Sequence, residues 1–253
     1  MYPEERRREI LNLINQSGRA VVAELSQRYS VSEVTIRADL QALADGGFIV
    51  RTHGGAITSG SGLYELSLTK RLGQQVLQKS RIGEAAAKLV SNGEAILLDA
   101  SSTALAVAHH LKQHRDLTIV THSLAIAHEM LGVSGVTVVM PGGTLHHDTA
   151  SLIGEEGLTF LETFHIQKGF FGAHGLSLTA GLTDVNAGEA QIKRLLVQIC
   201  DRVIAILDST KWGRAGLLSF ADVSALDMII TDEYAPDGLV SQVRELGVNV
   251  AIV

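Results

Sequence analysis

Apolar residues follow one period in the N-terminal part of the chain and another beyond it. From Ser32 to Leu43, Ile36, Leu40 and Leu43 recur at i, i+4 and i+7, which predicts a helix with one buried stripe. Ser32 stands before it as an N-cap, and Glu33 places a negative charge in the first turn, where the helix dipole favours one. Upstream, Ile10 and Ile14 supply the inward side of a helix from Pro3 to Gln16, with Arg6, Arg7 and Arg8 expected outward and Gly18 as the stop. Val22 to Tyr29 predicts a short second helix, and Ser30-Val31 the tight turn into the third. Gly46-Gly47 breaks the chain, and Phe48 to Ile57 reads as two short strands around a turn. These elements make a small winged helix-turn-helix.

After the small polar run Thr58 to Gly62, which reads as a hinge, Leu63 to Val90 is mostly helical in pattern. Short apolar runs then alternate with helical segments. The runs are Ala95–Asp99, Leu117–Thr121, Val136–Met140, Gln167–Gly172, Val203–Asp208, Met228–Thr231 and Val248–Val253. Helices are expected at Ala104–Leu111, Leu124–Leu131, Glu155–Glu162, Ala187–Cys200 and Pro236–Leu246. Such alternation predicts an α/β domain, a largely parallel sheet covered on both faces. The expected division is residues 1–57 for the winged module, 58–74 for the hinge and connecting segment, and 75–253 for the second domain.

At 253 residues, 46% hydrophobic and 19% charged, the chain is long enough for two globular cores. The single Cys200 rules out an internal disulfide framework and reads as a packed thiol at a helix end. The charged start lacks an apolar region and no run of roughly 20 apolar residues follows, so neither a secretory signal nor a membrane span is expected and a cytoplasmic location is. The net charge of −6 belongs to the second domain, because residues 1–57 hold seven basic and seven acidic side chains. A neutral module binds a polyanion modestly alone. Two modules joined in a homodimer or homotetramer add their phosphate contacts, so oligomerisation through the second domain is expected.

The third helix turns short and hydrogen-bonding groups away from its apolar stripe. Ser32, Glu33, Thr35, Arg37 and Gln41 suit base edges and phosphates in a major groove, and Arg51 and His53 on the wing suit phosphate or a minor-groove edge. Double-stranded operator DNA is the expected partner; a protein-interaction module is the plain alternative.

In an open α/β sheet, ligands bind beyond the carboxyl ends of the strands. There stand Asp99, Ser101, Ser102 and Thr103, then Thr121, His122 and Ser123, then Gly142 and Gly143, with Lys211 after a later strand. Hydroxyls, helix N–H groups, diglycine turns and a lysine together suit a phosphosugar. Taken singly, they are also ordinary caps, turns and a solvated cation. Glu189 and Lys193, four apart, read either as a surface ion pair or as pocket residues, and Asp184 and His174 sit in segments read as strand-end loops.

The chain resembles the DeoR family of bacterial transcription regulators. Val31-Ser32, Thr35-Ile36-Arg37 and Arg51-Thr52-His53-Gly54-Gly55-Ala56 match its recognition helix and wing, and Asp99 to Thr103, Pro141 to Gly143, Glu189 to Lys193 and Asp208 to Gly213 match its effector-domain landmarks. Ala38 departs from a second arginine common beside Arg37, and Ser101 from a glycine common in the first loop. The resemblance implies a second domain similar to ribose-phosphate isomerase and glucosamine-phosphate deaminase that senses a phosphorylated sugar or related metabolite. It implies a repressor of carbohydrate metabolism whose DNA binding responds to that ligand. The rival is a phosphosugar isomerase with Asp99, Asp184 or Glu189 as general base and Lys211 stabilising charge. The attached DNA-reading module favours a sensor without catalytic residues. No zinc-ligand spacing or nucleotide-binding fingerprint is present, so no metal and no cofactor are expected.

Overall fold

A computed structural model of the chain describes residues 3–17, 19–45, 49–52, 54–58, 68–154, 161 and 164–253. The Gly46-Gly47 break, His53, the Thr58 to Gly62 hinge beyond Thr58, most of the Glu155–Glu162 helix and the Arg8 side chain lie outside the described residues. The chain divides into two compact units, Met1–Tyr64 and Glu65–Val253.

The first unit contains α1 (Pro3–Ser17), β1 (Arg19–Val21), α2 (Val22–Tyr29), α3 (Glu33–Asp45), β2 (Ile49–Thr52) and β3 (Gly55–Thr58). Its core joins Ile10 and Ile14 of α1 to Leu25, Ile36, Leu40 and Leu43 of α2 and α3 and to Ile49 and Ala56 of the hairpin. Ser30 ends α2 in the left-handed region at φ 52°, and the Ser26 hydroxyl donates to the Val31 carbonyl at 2.6 Å, which fixes the turn into α3. Strand β1 was not anticipated. It pairs antiparallel with β3, so the wing is a three-stranded sheet in the order β1-β3-β2. A side chain at Gly55 would meet the Ala20 carbonyl oxygen at 2.0 Å, so this crossing of backbones requires glycine.

Arg6 and Arg7 are not simply outward. Arg6 is buried, and its Nε meets Asp39 Oδ2 at 2.6 Å while Arg7 Nε meets Asp39 Oδ1 at 2.9 Å. The reason is spacing: Arg6 continues the i, i+4 row of Ile10 and Ile14, and Asp39 lies on the stripe of Ile36, Leu40 and Leu43.

The second unit begins with α4 (Leu68–Leu72) and α5 (Val76–Ala87), separated at residues 73–75. Among the described residues, β4 (Ala95–Leu98), β5 (Leu117–Val120), β6 (Val136–Val139), β9 (Lys168–Phe171), β12 (Val203–Leu207), β14 (Met228–Thr231) and β15 (Asn249–Ile252) form a parallel sheet in the order β15-β14-β12-β9-β4-β5-β6. Alternation sends Ile96, Leu98, Ile119, Phe170, Ile204 and Ile206 to one face, against α5 and α6 (Ser102–His110). Leu97, Val120, Phe171, Ala205 and Leu207 go to the other, with side chains of α8 (Ala187–Gln198) and α9 (Asp237–Glu245).

That second face is not covered by helices alone. Strands β10 (Gly175–Ser177), β11 (Gly181–Asp184) and β13 (Leu218–Ala221) form a small antiparallel sheet that brings Leu176, Leu182 and Phe220 into the same core. Asp184 therefore ends a strand, where a loop was expected. A second unanticipated feature is the hairpin of β7 (Thr144–His146) and β8 (Ser151–Ile153), reached through Pro141-Gly142-Gly143; α7 (Leu124–Glu129) follows β5. Cys200, just beyond α8, donates its thiol hydrogen to the Leu196 carbonyl at 3.2 Å, and burial pushes its pKa up to about 12.

Candidate functional site

The order of the large sheet creates one special seam. From β4 the chain steps outward to β5 and β6 on one side, and from β9 to β12, β14 and β15 on the other. The connections leaving β4 and β9 therefore diverge and leave a crevice at the strands' carboxyl ends. A cavity of about 550 Å³ opens there, within the size range of small-ligand sites. Its wall includes Ser101, Ser102 and Thr103 after β4, Gly172, Ala173 and His174 after β9, and Thr210, Lys211 and Arg214 after β12. Asp184 and Lys193 join them, and Arg71, Gln74, Gln75 and Lys79 come from α4, α5 and the bend between.

Asp99 locks the seam. Fully buried, it accepts from the backbone N–H of Ser101 at 3.0 Å and of Gly172 at 2.9 Å, and Lys193 Nζ lies 3.1 Å away. A side chain at Gly172 would come within 2.4 Å of Ser101 Oγ, so glycine is needed for the two strand ends to close. Ser101 Oγ caps α6 by accepting from Ala104 N–H at 3.0 Å. The N–H groups of Ser102 and Thr103, in the first turn, have no partner within the helix and belong to an end that favours anions.

Lys193 is held by Asp184 at 2.8 Å and donates to the Gly172 carbonyl at 3.1 Å, with its ammonium 5.2 Å from the centre of the Phe220 ring. Burial alone would depress its pKa, but Asp184, Asp99 and Glu189 outweigh burial and hold it above the ordinary lysine value. Glu189 pairs not with Lys193 but with His122 Nε2 at 3.2 Å and the Ser151 hydroxyl, and Ser151 in turn meets Thr149. Against the pull of burial, His122 and Lys193 keep the Glu189 carboxyl well below the usual carboxylate range. These residues are a buried, hydrogen-bonded frame in which Lys193 is shared by two carboxylates.

The expected ligand residues thus separate. Ser101, Ser102, Thr103, Asp184, Lys193 and Lys211 come together in the wall. Asp99 holds the wall residues Ser101, Gly172 and Lys193 from within, whereas Glu189 and His122 pair with each other and are not part of the wall. Thr121 accepts from Ser123 N–H at 3.1 Å and Ser123 caps α7 at Ile126 N–H at 3.3 Å, so their hydroxyls serve the local chain. Gly142 and Gly143 are not part of this wall and lead into the β7–β8 hairpin. Arg71 and Lys79, in the stretch read as mostly helical, and Arg214 were not among the expected ligand residues, and only the fold brings them into the wall. Burial lowers the Lys79 pKa to about 8, with Lys211 and Arg71 adding to the effect and Asp208 opposing it. Burial likewise lowers Lys211 and His174, aided by neighbouring cations.

On α3, Ser32 caps the helix through Thr35 N–H at 3.2 Å, and their hydroxyls meet at 2.9 Å. Arg37 and Glu33 pair at 2.7 Å on the exposed face. Arg51 of the wing donates to Gln41 Oε1 at 2.7 Å, which ties β2 to α3. Val34, absent from the expected DNA contacts, is 73% exposed at the start of the same helix.

Residues 6–61 match the DeoR-like helix-turn-helix domain, and residues 74–233 match the DeoR C terminal sensor domain. The HTH-type transcriptional regulator GolR of Listeria innocua is 35% identical over 252 residues, 100% of this chain and 99% of that one. The glycerol-3-phosphate regulon repressor of Escherichia coli is 31% identical over 93% of each chain. Among solved structures, ribose 5-phosphate isomerase A of Methanocaldococcus jannaschii overlaps 53% of each chain at 16% identity and a TM-score of 0.39. With both family domains matched in order and relatives similar from end to end, the chain belongs to the DeoR family of transcriptional regulators.

Proposed function

We propose that this regulator is a cytoplasmic repressor of a carbohydrate-metabolism operon that binds double-stranded operator DNA through its first unit and a phosphorylated sugar in the seam cavity of its second. The observation that carries the ligand half is the cavity itself: Lys79, Lys211, Arg214 and Arg71 converge beside the first turn of α6 at a topological switch point. The names of relatives, among them a glycerol-3-phosphate regulon repressor and a putative aga operon repressor, support the operon class.

Lys211 and the Ser102 and Thr103 N–H groups suit the phosphate, and Asp184 and His174 suit sugar hydroxyls. On DNA, Arg37 suits a guanine edge and Val34 a thymine methyl, with Ser32, Glu33, Thr35 and Gln41 beside them. Arg51, and His53 outside the described residues, suit flanking phosphate or a minor groove. A homodimer or homotetramer brings two such surfaces to paired half-sites. The ligand controls transcription only through different affinities for the two arrangements of that assembly.

Selection of bound sequences from a random duplex pool, followed by titration of the selected complex with sugar phosphates and their unphosphorylated parents, tests the whole reading. The expected result is a defined operator whose occupancy changes with phosphorylated sugars alone. Absence of any sequence preference refutes the DNA half, and equal responses to both sugar forms refute the ligand half. Interconversion of a sugar phosphate during the titration supports the isomerase instead.

A further inference from the structure

One edge of an arginine in the cavity meets no hydrogen-bonding group of the protein. Arg71, on α4, lines the wall, and its Nε and Nη2 are both buried and without a hydrogen-bond partner. Those atoms are the two donors along one side of the planar guanidinium, the geometry that meets two oxygens of one phosphate or carboxylate. Among the described residues, the only other buried side-chain nitrogen or oxygen in that condition is His122 Nδ1.

The surroundings call for an anion. Lys79 and Lys211 lie within electrostatic reach of Arg71, and Arg214 within reach of Lys211. The nearby acids are engaged elsewhere: Asp184 holds Lys193, and Asp208 accepts from the hydroxyl and backbone N–H of Thr210. Nor is the arginine loosely mounted. Its carbonyl accepts from Lys79 Nζ at 2.6 Å, and Leu68 N–H, at the start of α4, donates to the Asp148 carbonyl at 2.9 Å.

We propose that the Nε/Nη2 edge of Arg71 is the oxyanion subsite of the cavity, taking two oxygens of the ligand's phosphate; this rests on the effector reading above. Lys211 supplies charge without direction, whereas the Arg71 fork sets where the phosphate sits. A neutral ligand leaves both donors unpaired and so loses more than one attraction. Because α4 is the first described helix of the second unit, an occupied fork also joins the ligand to the segment nearest in sequence to the DNA-reading unit.

The test uses the full chain, with inorganic phosphate and a hexose 6-phosphate as probes. Wild type, Arg71→Met and Arg71→Lys are compared by thermal unfolding with and without probe and by calorimetric titration. Both probes are expected to raise the wild-type Tm. Arg71→Met is expected to match or exceed wild type without probe, since it removes two unpaired donors, and to lose the probe-dependent rise. Arg71→Lys keeps the charge and loses the fork, so its affinity should fall about tenfold or more. Equal probe binding by Arg71→Met and wild type overturns the subsite, as does full binding by Arg71→Lys. A lower probe-free Tm in Arg71→Met shows a structural brace and overturns it too. Wild type that responds to neither probe overturns the effector reading and this subsite with it.

Discussion

The exposed face of α3 and the seam cavity are both polar, yet they stand differently toward their ligands. On α3 the groups occupy one another: Ser32 with Thr35, Glu33 with Arg37, Gln41 with Arg51. In the cavity, the Arg71 edge is unpartnered, and the hydrogen bond of Lys211 comes from its backbone N–H to the Asp208 carbonyl at 3.0 Å rather than from its ammonium. A self-paired surface gives up contacts when it docks, so its net gain depends on the fit of each base. An unpaired cavity gains from almost any suitable anion and leaves discrimination to the neutral part of the ligand. The frame beneath the cavity is different again, because there each carboxylate has a protein partner at close range.

The largest expected effect separates frame from cavity. Lys193→Met leaves Asp99 and Asp184 buried without their cation and should destabilise the second unit by about 3–5 kcal/mol. Chemical denaturation measures it, and a loss no greater than that of Lys211→Ala would erase the distinction. Lys211→Ala itself should weaken sugar-phosphate binding by about 1.5–3 kcal/mol while leaving operator binding without ligand intact. Titration of both activities in the same preparation decides whether it is a cavity residue or a surface lysine.

Arg37→Ala sharpens the other side. If the arginine reaches a guanine, operator affinity should drop by about 1–3 kcal/mol with relaxed preference at that base, which binding to a set of singly altered operators reveals. Unchanged affinity at fixed salt removes Arg37 from the interface. A smaller effect follows from Lys79, whose pKa burial has lowered to about 8. A bound phosphate favours the ammonium and raises that value, so its contribution is complete below about pH 8 and is lost as pH climbs through the bound-state pKa. Affinity across an alkaline pH series should fall a few-fold in wild type and less in Lys79→Met. Smallest of all, Glu33→Gln frees Arg37 from its exposed pair and should tighten operator binding by about twofold. A weakening instead would make Glu33 itself a base contact.

Much of this was legible from spacing. The apolar runs of the parallel sheet are nearly continuous because both faces are buried, so β4, β5, β12 and β14 stand out, as does the α3 stripe. The antiparallel strands β10, β11 and β13 do not, because three or four residues interrupted by glycine and polar groups carry too short a pattern. The Arg6–Asp39 pair was present in the spacing and overlooked: two opposite charges on facing apolar stripes must meet or stay out of the core. Glu189 and Lys193 stand at helical spacing, but both lie on the buried face of α8, and each finds its partners on other segments of the chain. Arg71 had no local signal at all. Its role depends on a cavity assembled from strand ends that are far apart along the chain.

Cys200 is the only cysteine, and with its thiol pushed up to about 12 by burial it holds almost no thiolate at neutral pH. The chain therefore comes with a silent labelling background. A Val34→Cys variant, exposed at the start of α3, would accept a thiol-reactive fluorophore at a single point without first removing the native residue, and its emission would report docking of that helix on DNA as ligand is added.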